Sequence, residues 1–287
     1  MKRLTPIIVF LLSVLTASAQ MDVRFGDEST DTLRLNKLLQ SAADKSLPTP
    51  EARTAFFGRQ FIGTPYGAHT LEGPEEILTV RLDSLDCTTF VETALALAYT
   101  CGERRSSWRD FLFNLRRIRY RNGEINGYPS RLHYIADWAV DNKHRGNISD
   151  ATSSFPRVNH IIRSIDFMSA HRKAYPALAD SANFERIRSV ESGYRNHKFP
   201  YIKTSDLNIK AVKAAFRNGD ILAFVSNLKD LDVTHMGMVV KDSPDAEPYV
   251  LHASQTNGKV EISSVPLAEF VKRNRNWIGV RVFRLMD

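Results

Sequence analysis

The chain has 287 residues, 43% of them hydrophobic and 25% charged, with two cysteines and a formal charge of +7. That is ordinary globular composition, long enough for one large domain or two modest ones, and it excludes a disordered, low-complexity or disulfide-framework protein. The first residues carry an address. Lys2 and Arg3 precede an apolar run from Ile7 to Leu15, roughly nine residues and too short to span a bilayer. Ala17-Ser18-Ala19 follows the small-x-small cleavage rule. Residues 1–19 are therefore expected to be a signal peptide and the mature chain to start at about Gln20, periplasmic or secreted. No cysteine follows the run to take a lipid, and no later segment reads as a membrane helix. Without Lys2 and Arg3 the formal charge falls to about +5. An exported basic protein is not expected to meet nucleic acid; its charge suits an anionic polymer as well as a generic basic surface.

Leu33, Leu35, Leu38 and Leu39 predict a short opening helix, and Ala52, Ala55, Phe56 and Phe57 a second one after Pro50. The second ends before Gly63-Thr-Pro-Tyr-Gly67, a loop by its glycines and proline. Phe90, Val91, Ala94, Leu95 and Ala98 place an amphipathic helix directly after Cys87. Trp108, Phe111, Leu112 and Leu115 mark another, and Tyr134, Ile135 and Trp138 a third. Residues 142–217 are polar and mixed, with helical pieces around Ile165 to Ala174 and Phe184 to Val190. They are read as an insertion or flanking lobe within a single domain, 20–287. Five strand-like runs follow: 219–225, 235–240, 249–254, 259–262 and 278–285, with a helix over 267–272 before the last. Helices first and strands later predict an α+β fold, with the helices packed on an antiparallel sheet.

Cys87 stands at a predicted helix start between Asp86 and Thr88. Helix N-termini and nearby imidazolium groups favour thiolate, so this thiol is the candidate nucleophile, with Asp86 or Thr88 as cap. Cys101 lies about 20 Å further along the same helix, beyond disulfide reach, and reads as packing. A nucleophile needs a base and the base an orienter. His235 opens an apolar strand, sharing a face with Gly237 and Val239, where Gly237 leaves room for a neighbouring helix end. His252 and Ser254 lie two apart on the next strand, and either is a candidate third group if the two strands pair.

Four segments resemble the NlpC-type cell-wall cysteine hydrolases, a papain-like superfamily. They are Asp86-Cys-Thr-Thr-Phe-Val-Glu92, the Gly63–Gly67 loop, Gly219-Asp-Ile-Leu with Thr234-His-Met-Gly237, and Tyr249–Ser254. With Ser130–Trp138 and Leu231–Gly237 the resemblance narrows to the N-acetylmuramoyl-L-alanine amidase-like family. It implies a papain-like catalytic domain with Cys87 as nucleophile, His235 as base and His252 as orienter. It also implies Tyr66 on the oxyanion side and Asp86 as an acid that, in some relatives, meets a substrate amine. Thr88 and Thr89 stand where the pattern has Ser-Gly, and a contact at 89 is therefore open. The implied substrate is a peptidoglycan fragment, cut at the muramoyl–L-alanine amide or at the γ-D-glutamyl–diamino acid bond.

Arg131 and His133 are read either as a substrate-facing rim or as a solvated helix entrance. Ser254 joins them as a candidate contact. No metal or other cofactor is expected, since the eight histidines show no H-E-x-x-H spacing, although Cys87, His235 and His252 would make a formal zinc set. The rival classes are a non-catalytic wall-binding module and an acyltransferase on the same scaffold.

Overall fold

The computed structural model describes residues 22–287; the expected signal segment lies outside the described residues. The chain opens with β1 (Val23–Phe25) and α1 (Glu28–Ala43), whose first turn is capped by Asp27 accepting from the Thr30 N–H. Thr49 caps α2 (Pro50–Arg59), with Pro50 at the position where no N–H is needed. After β2 (Leu78–Val80), which pairs in parallel with β1, comes α3 (Cys87–Gly102). Every residue of α3 from Thr89 to Thr100 is buried, so this is a central helix enclosed on all sides rather than an amphipathic surface one. Cys87 and Cys101 sit near its two ends, both thiols unpaired. Next are α4 (Trp108–Arg119), α5 (Ile135–His144), β3 (Ile148–Asp150), β4 (Val158–Arg163), α6 (Phe167–Ala170), α7 (Ser181–Ser192), β5 (His197–Lys203) and α8 (Lys210–Ala215). The chain closes with β6 (Ile221–Ser226), β7 (Val233–Val240), β8 (Tyr249–Ser254), β9 (Lys259–Ile262), α9 (Leu267–Arg273) and β10 (Trp277–Leu285).

The main sheet runs β4-β5-β10-β6-β7-β8-β9, with β3 paired to the last residues of β10 and every pair antiparallel. Side chains alternate across it. One face sends Met236, Met238, Leu251 and Ala253 into the core built on α3, beside Phe90 of that helix. The other sends Phe224, Val239, Val250 and Val280 against Val212 of α8 and Val271 of α9. The α+β expectation with an antiparallel sheet holds.

The 142–217 segment supplies β3, β4 and β5 to that sheet. Its strands were hidden from a period-two reading: β4 is an edge strand with no clean alternation, and β5 contains Pro200. Proline is tolerated there because β10 pairs with β5 only at Ile202 and Lys203. The helical piece predicted over 165–174 is broken into α6 and a single tight turn at Arg172–Ala174. Together with α7 it forms a lobe with its own core, including Tyr134, Ile165, Met168, Leu178 and Ile187.

A buried ion pair ties the helical half together. Arg119 at the end of α4 donates from Nε to Glu92 Oε2 of α3 at 2.6 Å, and from Nη1 to the Thr79 carbonyl of β2 at 2.7 Å. The two residues are 2% and 1% exposed. Removing one partner leaves the other charge unpaired in low dielectric. Arg119→Met is therefore expected to lose about 3–5 kcal/mol, and Glu92→Leu combined with Arg119→Met to recover much of it. Urea unfolding of the two variants beside wild type measures this; a single variant as stable as wild type would refute the pairing.

Candidate active site

The start of α3 is a closed capping box. Asp86 Oδ1 accepts from the Thr88 N–H at 3.0 Å, the Thr89 N–H at 2.7 Å and the Thr89 hydroxyl at 2.9 Å. The Asp86 N–H donates back to Thr89 Oγ1 at 2.9 Å. Thr89, where the family pattern has glycine, is thus turned back into the cap and buried. The box has an electrostatic consequence. Two of the N–H donors that would stabilise a thiolate are already satisfied, and by a carboxylate. Burial first, and the Asp86 charge second, push the Cys87 thiol up to about 11; the N–H of Met236 on β7, which faces the sulfur, offsets this in part. The Thr88 hydroxyl lies 3.9 Å from the sulfur.

Loop 63–67 is stitched to both sides of this region. The Gly63 N–H donates to the Val260 carbonyl and the Tyr66 N–H to that of Gly258, both at 2.8 Å, while the Leu85 N–H donates to the Pro65 carbonyl at 3.0 Å. The half-buried Tyr66 is held close enough to Cys87 for a thiolate there to raise its hydroxyl, after the larger effect of burial.

β7 pairs with β6 and β8, with Phe224 opposite His235 and Val239 opposite Val250. His235, Gly237 and Val239 do share a face, but it is the face turned away from α3. A Cβ on Gly237 would meet Val250 Cγ1 at 3.1 Å and His252 Cβ at 3.2 Å. The room left by Gly237 is therefore taken by β8 and its histidine, not by a helix end. His235 Nε2 and His252 Nδ1 are 2.9 Å apart. Ser254 is buried and accepts from the Asn257 N–H at 3.1 Å, bracing the turn after β8 rather than touching either imidazole. The structure brings the two imidazoles together and sets the thiol against the backbone beside His235, at Met236. Among the described residues no hydrogen bond joins the thiol to an imidazole.

Three aromatic residues that sequence reasoning did not single out for this role enclose the pair. Trp277 stacks on His235 at 5.6 Å and 12°, locked by its Nε1–H donating to Thr234 Oγ1 at 2.9 Å. Phe224 lies 5.3 Å from His235, and Phe270 lies 4.9 Å from His252. Only strand alternation and the register of β6 against β7 would have found Phe224. Desolvation by this enclosure, with the His252 ring as the smaller cause, pulls His235 down to about 3; burial pulls His252 down to about 4 against an opposing pull from Glu261. Both rings rest neutral.

Arg131 and His133 are turned to other work. Arg131 is 7% exposed and paired with Glu72 Oε1 at 2.8 Å and Glu76 Oε1 at 3.3 Å. His133 Nε2 lies 2.9 Å from the Tyr128 carbonyl, and burial pulls it down to about 3. Asp232, also not foreseen, accepts from the Ala136 N–H in the first turn of α5, for which Tyr134 provides no side-chain cap. No cluster of three or more histidine, cysteine or acidic side chains shaped for a metal occurs among the described residues, and no helix there is long and apolar enough to cross a membrane.

The family described as AmiA-like, N-acetylmuramoyl-L-alanine amidase-like, matches residues 56–280. An N-acetylmuramoyl-L-alanine amidase of Bacteroides uniformis superposes with a TM-score of 0.77 at 35% identity, covering 83% of this chain and 99% of that one. A protein of Bacteroides fragilis described as a putative xylanase gives 0.74 at 36% identity, over 80% and 99%. Protein LPG0564 of Legionella pneumophila shares the fold with a TM-score of 0.69 at 21% identity, over 91% and 96%. A search of curated proteins finds no match. The match over most of the chain, and a relative at this identity covered almost whole, make the chain a member of the AmiA-like, N-acetylmuramoyl-L-alanine amidase-like family.

Proposed function

We propose that the protein is an exported cysteine amidase of NlpC-type, papain-like architecture that hydrolyses the amide between the muramic acid lactyl group and L-alanine in peptidoglycan fragments. The observation that carries this reading is the His235–His252 contact on the strand whose next residue, Met236, turns its N–H to the Cys87 thiol at a helix start, in a chain of this family.

The chemistry follows from the resting charges. With thiol and imidazoles neutral, the proton moves as the bond forms: Cys87 Sγ attacks the amide carbon while His235 Nδ1 takes the thiol proton. The Cys87 N–H is a first-turn donor that meets no acceptor but its own sulfur among the described residues. It is suited to hold the oxyanion, with Tyr66 alongside. His235 then protonates the leaving nitrogen, the C–N bond breaks, and a thioester remains on Cys87. Water attacks the thioester, giving its proton to His235; the C–S bond then breaks, His235 returns that proton to the Cys87 sulfur, and the acid leaves. His252 stabilises the imidazolium that forms in passing. One observation favours a second reading, cleavage of the γ-D-glutamyl–diamino acid bond. Only Oδ1 of Asp86 is spent on the cap, which leaves Oδ2 to meet a peptide amine.

Mass spectrometry of purified muropeptides, with and without their sugar, separates these readings. The mature protein is expected to release a peptide led by free L-alanine, and Cys87→Ala to release nothing. A dipeptide product would instead assign the γ-glutamyl bond, and a folded protein that cleaves no fragment would sink the hydrolase reading in favour of a wall-binding module. The neutral resting state has its own test. A thiol near 11 rather than 9 holds roughly a hundredfold less thiolate at neutral pH. Alkylation of Cys87 by iodoacetamide is therefore expected to be about that much slower than in the denatured chain and to climb still above pH 9. A rate already level between pH 6 and 8 would show a thiolate–imidazolium pair instead.

A further inference from the structure

The His235–His252 contact constrains where protons sit, and the constraint reaches one residue further than the pair. One nitrogen must donate across the 2.9 Å contact between His235 Nε2 and His252 Nδ1. If His252 donated, His235 would carry its own proton on Nδ1 and have no base to offer the thiol. The proposed hydrolysis therefore requires His235 Nε2–H to donate and His252 Nδ1 to accept. Neutral His252 must then bear its proton on Nε2. That atom is buried without a hydrogen-bond partner, in a residue only 5% exposed. A buried N–H donor left unpaired is costly and calls for an acceptor.

The side chain across the strand pair from His252 is Glu261 of β9. Opposite residues of antiparallel strands share a face, with Cβ atoms about 5 Å apart. Both line a cleft of about 700 Å³ on the side of the sheet away from α3. The turn between the strands supports Glu261: Ser254 Oγ accepts the Asn257 N–H, and Asn257 Nδ2 donates to Glu261 Oε1 at 2.6 Å. One carboxylate oxygen is thereby fixed and Oε2 is left over. Among the other groups lining the cleft, Phe270 of α9 is apolar, His235 is already the donor, and Arg273 and Arg275 bring no acceptor; the hydroxyls and amides there, among them Gln255, Ser263 and Asn274, are neutral, so Glu261 is the one carboxylate in the lining, and Arg273 is paired with Glu269 at 3.3 Å.

We propose that Glu261 is a positioning residue for the histidine pair: its free carboxylate oxygen accepts the His252 Nε2–H, directly or through one water, and so fixes the tautomer that leaves His235 Nδ1 able to take the thiol proton. The Glu261 charge also raises His252 toward protonation against the stronger pull of burial. Carboxylates that orient a metal-bound histidine are worth roughly tenfold to a hundredfold in activity when removed, and a loss on the same scale is expected here. Ser254 gains a role here, acting on the site through Asn257 and Glu261 without touching an imidazole.

This rests on the hydrolase reading for its effect on rate but not for its effect on the proton, and the experiment reads both. In the free, histidine-labelled protein, ¹⁵N shifts at neutral pH are expected to show His252 as a single Nε2–H tautomer. Glu261→Ala, and Glu261→Thr as a strand-compatible second variant, are expected to mix the tautomers. Both should also lower kcat on muropeptides roughly tenfold to a hundredfold with little change in KM. Glu261→Gln, which keeps an acceptor, is expected to keep the tautomer and recover part of kcat. Glu269→Ala, a charge removed from α9, is expected to change neither readout. An Nδ1–H tautomer in wild type, or Glu261→Ala and Glu261→Thr spectra identical to wild type, would overturn the proposal. A wild-type protein that cleaves no muropeptide would overturn the hydrolase reading while the ¹⁵N shifts still judge Glu261.

Discussion

The two-residue period of β7 is the constraint on which the site depends. Met236 and Met238 fill the core under α3, so His235, Gly237 and Val239 must face the other way. A slip of one residue would bury His235 beneath α3 and expel two methionines from the core, and the packing therefore fixes the register. The thiol and its proposed base thus reach the same strand from different sides, the thiol at the Met236 N–H and the ring against Phe224 and Trp277. The register between β6 and β7 shifts just past the Phe224–His235 pair. A bulge there turns the strand end locally and re-aims the side chain beside it. Gly237 completes the arrangement, since a methyl at that position would crowd the Leu251 carbonyl, Val250 and the Cβ of His252, which carries one of the two imidazoles.

A second principle is competition for the helix start. A capped N-terminus is more stable than an uncapped one, but the Asp86 carboxylate that caps α3 uses donors a thiolate would want and adds a like charge beside it. On the histidine side the aromatic enclosure disfavours imidazolium in the same way. Both effects push the pair toward neutrality. In the proposed reaction charge would then develop only when substrate brings a carbonyl to the Cys87 N–H, where a preorganised donor counts most if solvent is excluded. For the exported enzyme proposed above, neutral resting groups would also avoid a permanently reactive thiolate in an oxidising compartment.

The parts of this that one sequence displays are those carried by local pattern. The helix after Cys87, the five late strands and the helix before the last of them follow from periodicity within a few residues. The proximity of His235 and His252 followed from their placement on neighbouring strands. What stayed hidden is what tertiary pairing decides. The strands at 148–150, 158–163 and 197–203 lack alternation because they sit at a sheet edge or pair along only part of their length. The aromatic cage draws one residue each from β6, α9 and β10, at positions whose identity alone says core. The sidedness of His235 could have been read from the sequence, since the methionines alternate with it. The expectation that Gly237 made room for a helix end overlooked that alternation.

The segment Ser130–Trp138 shows how a motif can mark a site without touching its chemistry. Arg131 is held by two glutamates and His133 by a backbone carbonyl, so neither offers a free group. The rest of the segment is a joint. The Tyr134 hydroxyl donates to Glu191 of α7 and accepts the Met168 N–H of α6 at 2.7 Å, while Asp137 holds Arg121 and Tyr194. These bonds tie the 142–217 lobe to α5. The first turn of α5 in turn donates the Ala136 N–H to Asp232, one residue before β7 begins and three before His235. Burial raises the Asp232 carboxyl above its ordinary range, and the Ala136 and Val233 N–H groups oppose this by favouring the charged form. The position at which the histidine strand starts is thus set by the lobe through a chain of buried polar bonds. A lobe that meets the substrate would act on the geometry of the proposed base through this joint, without contributing a side chain to the reaction.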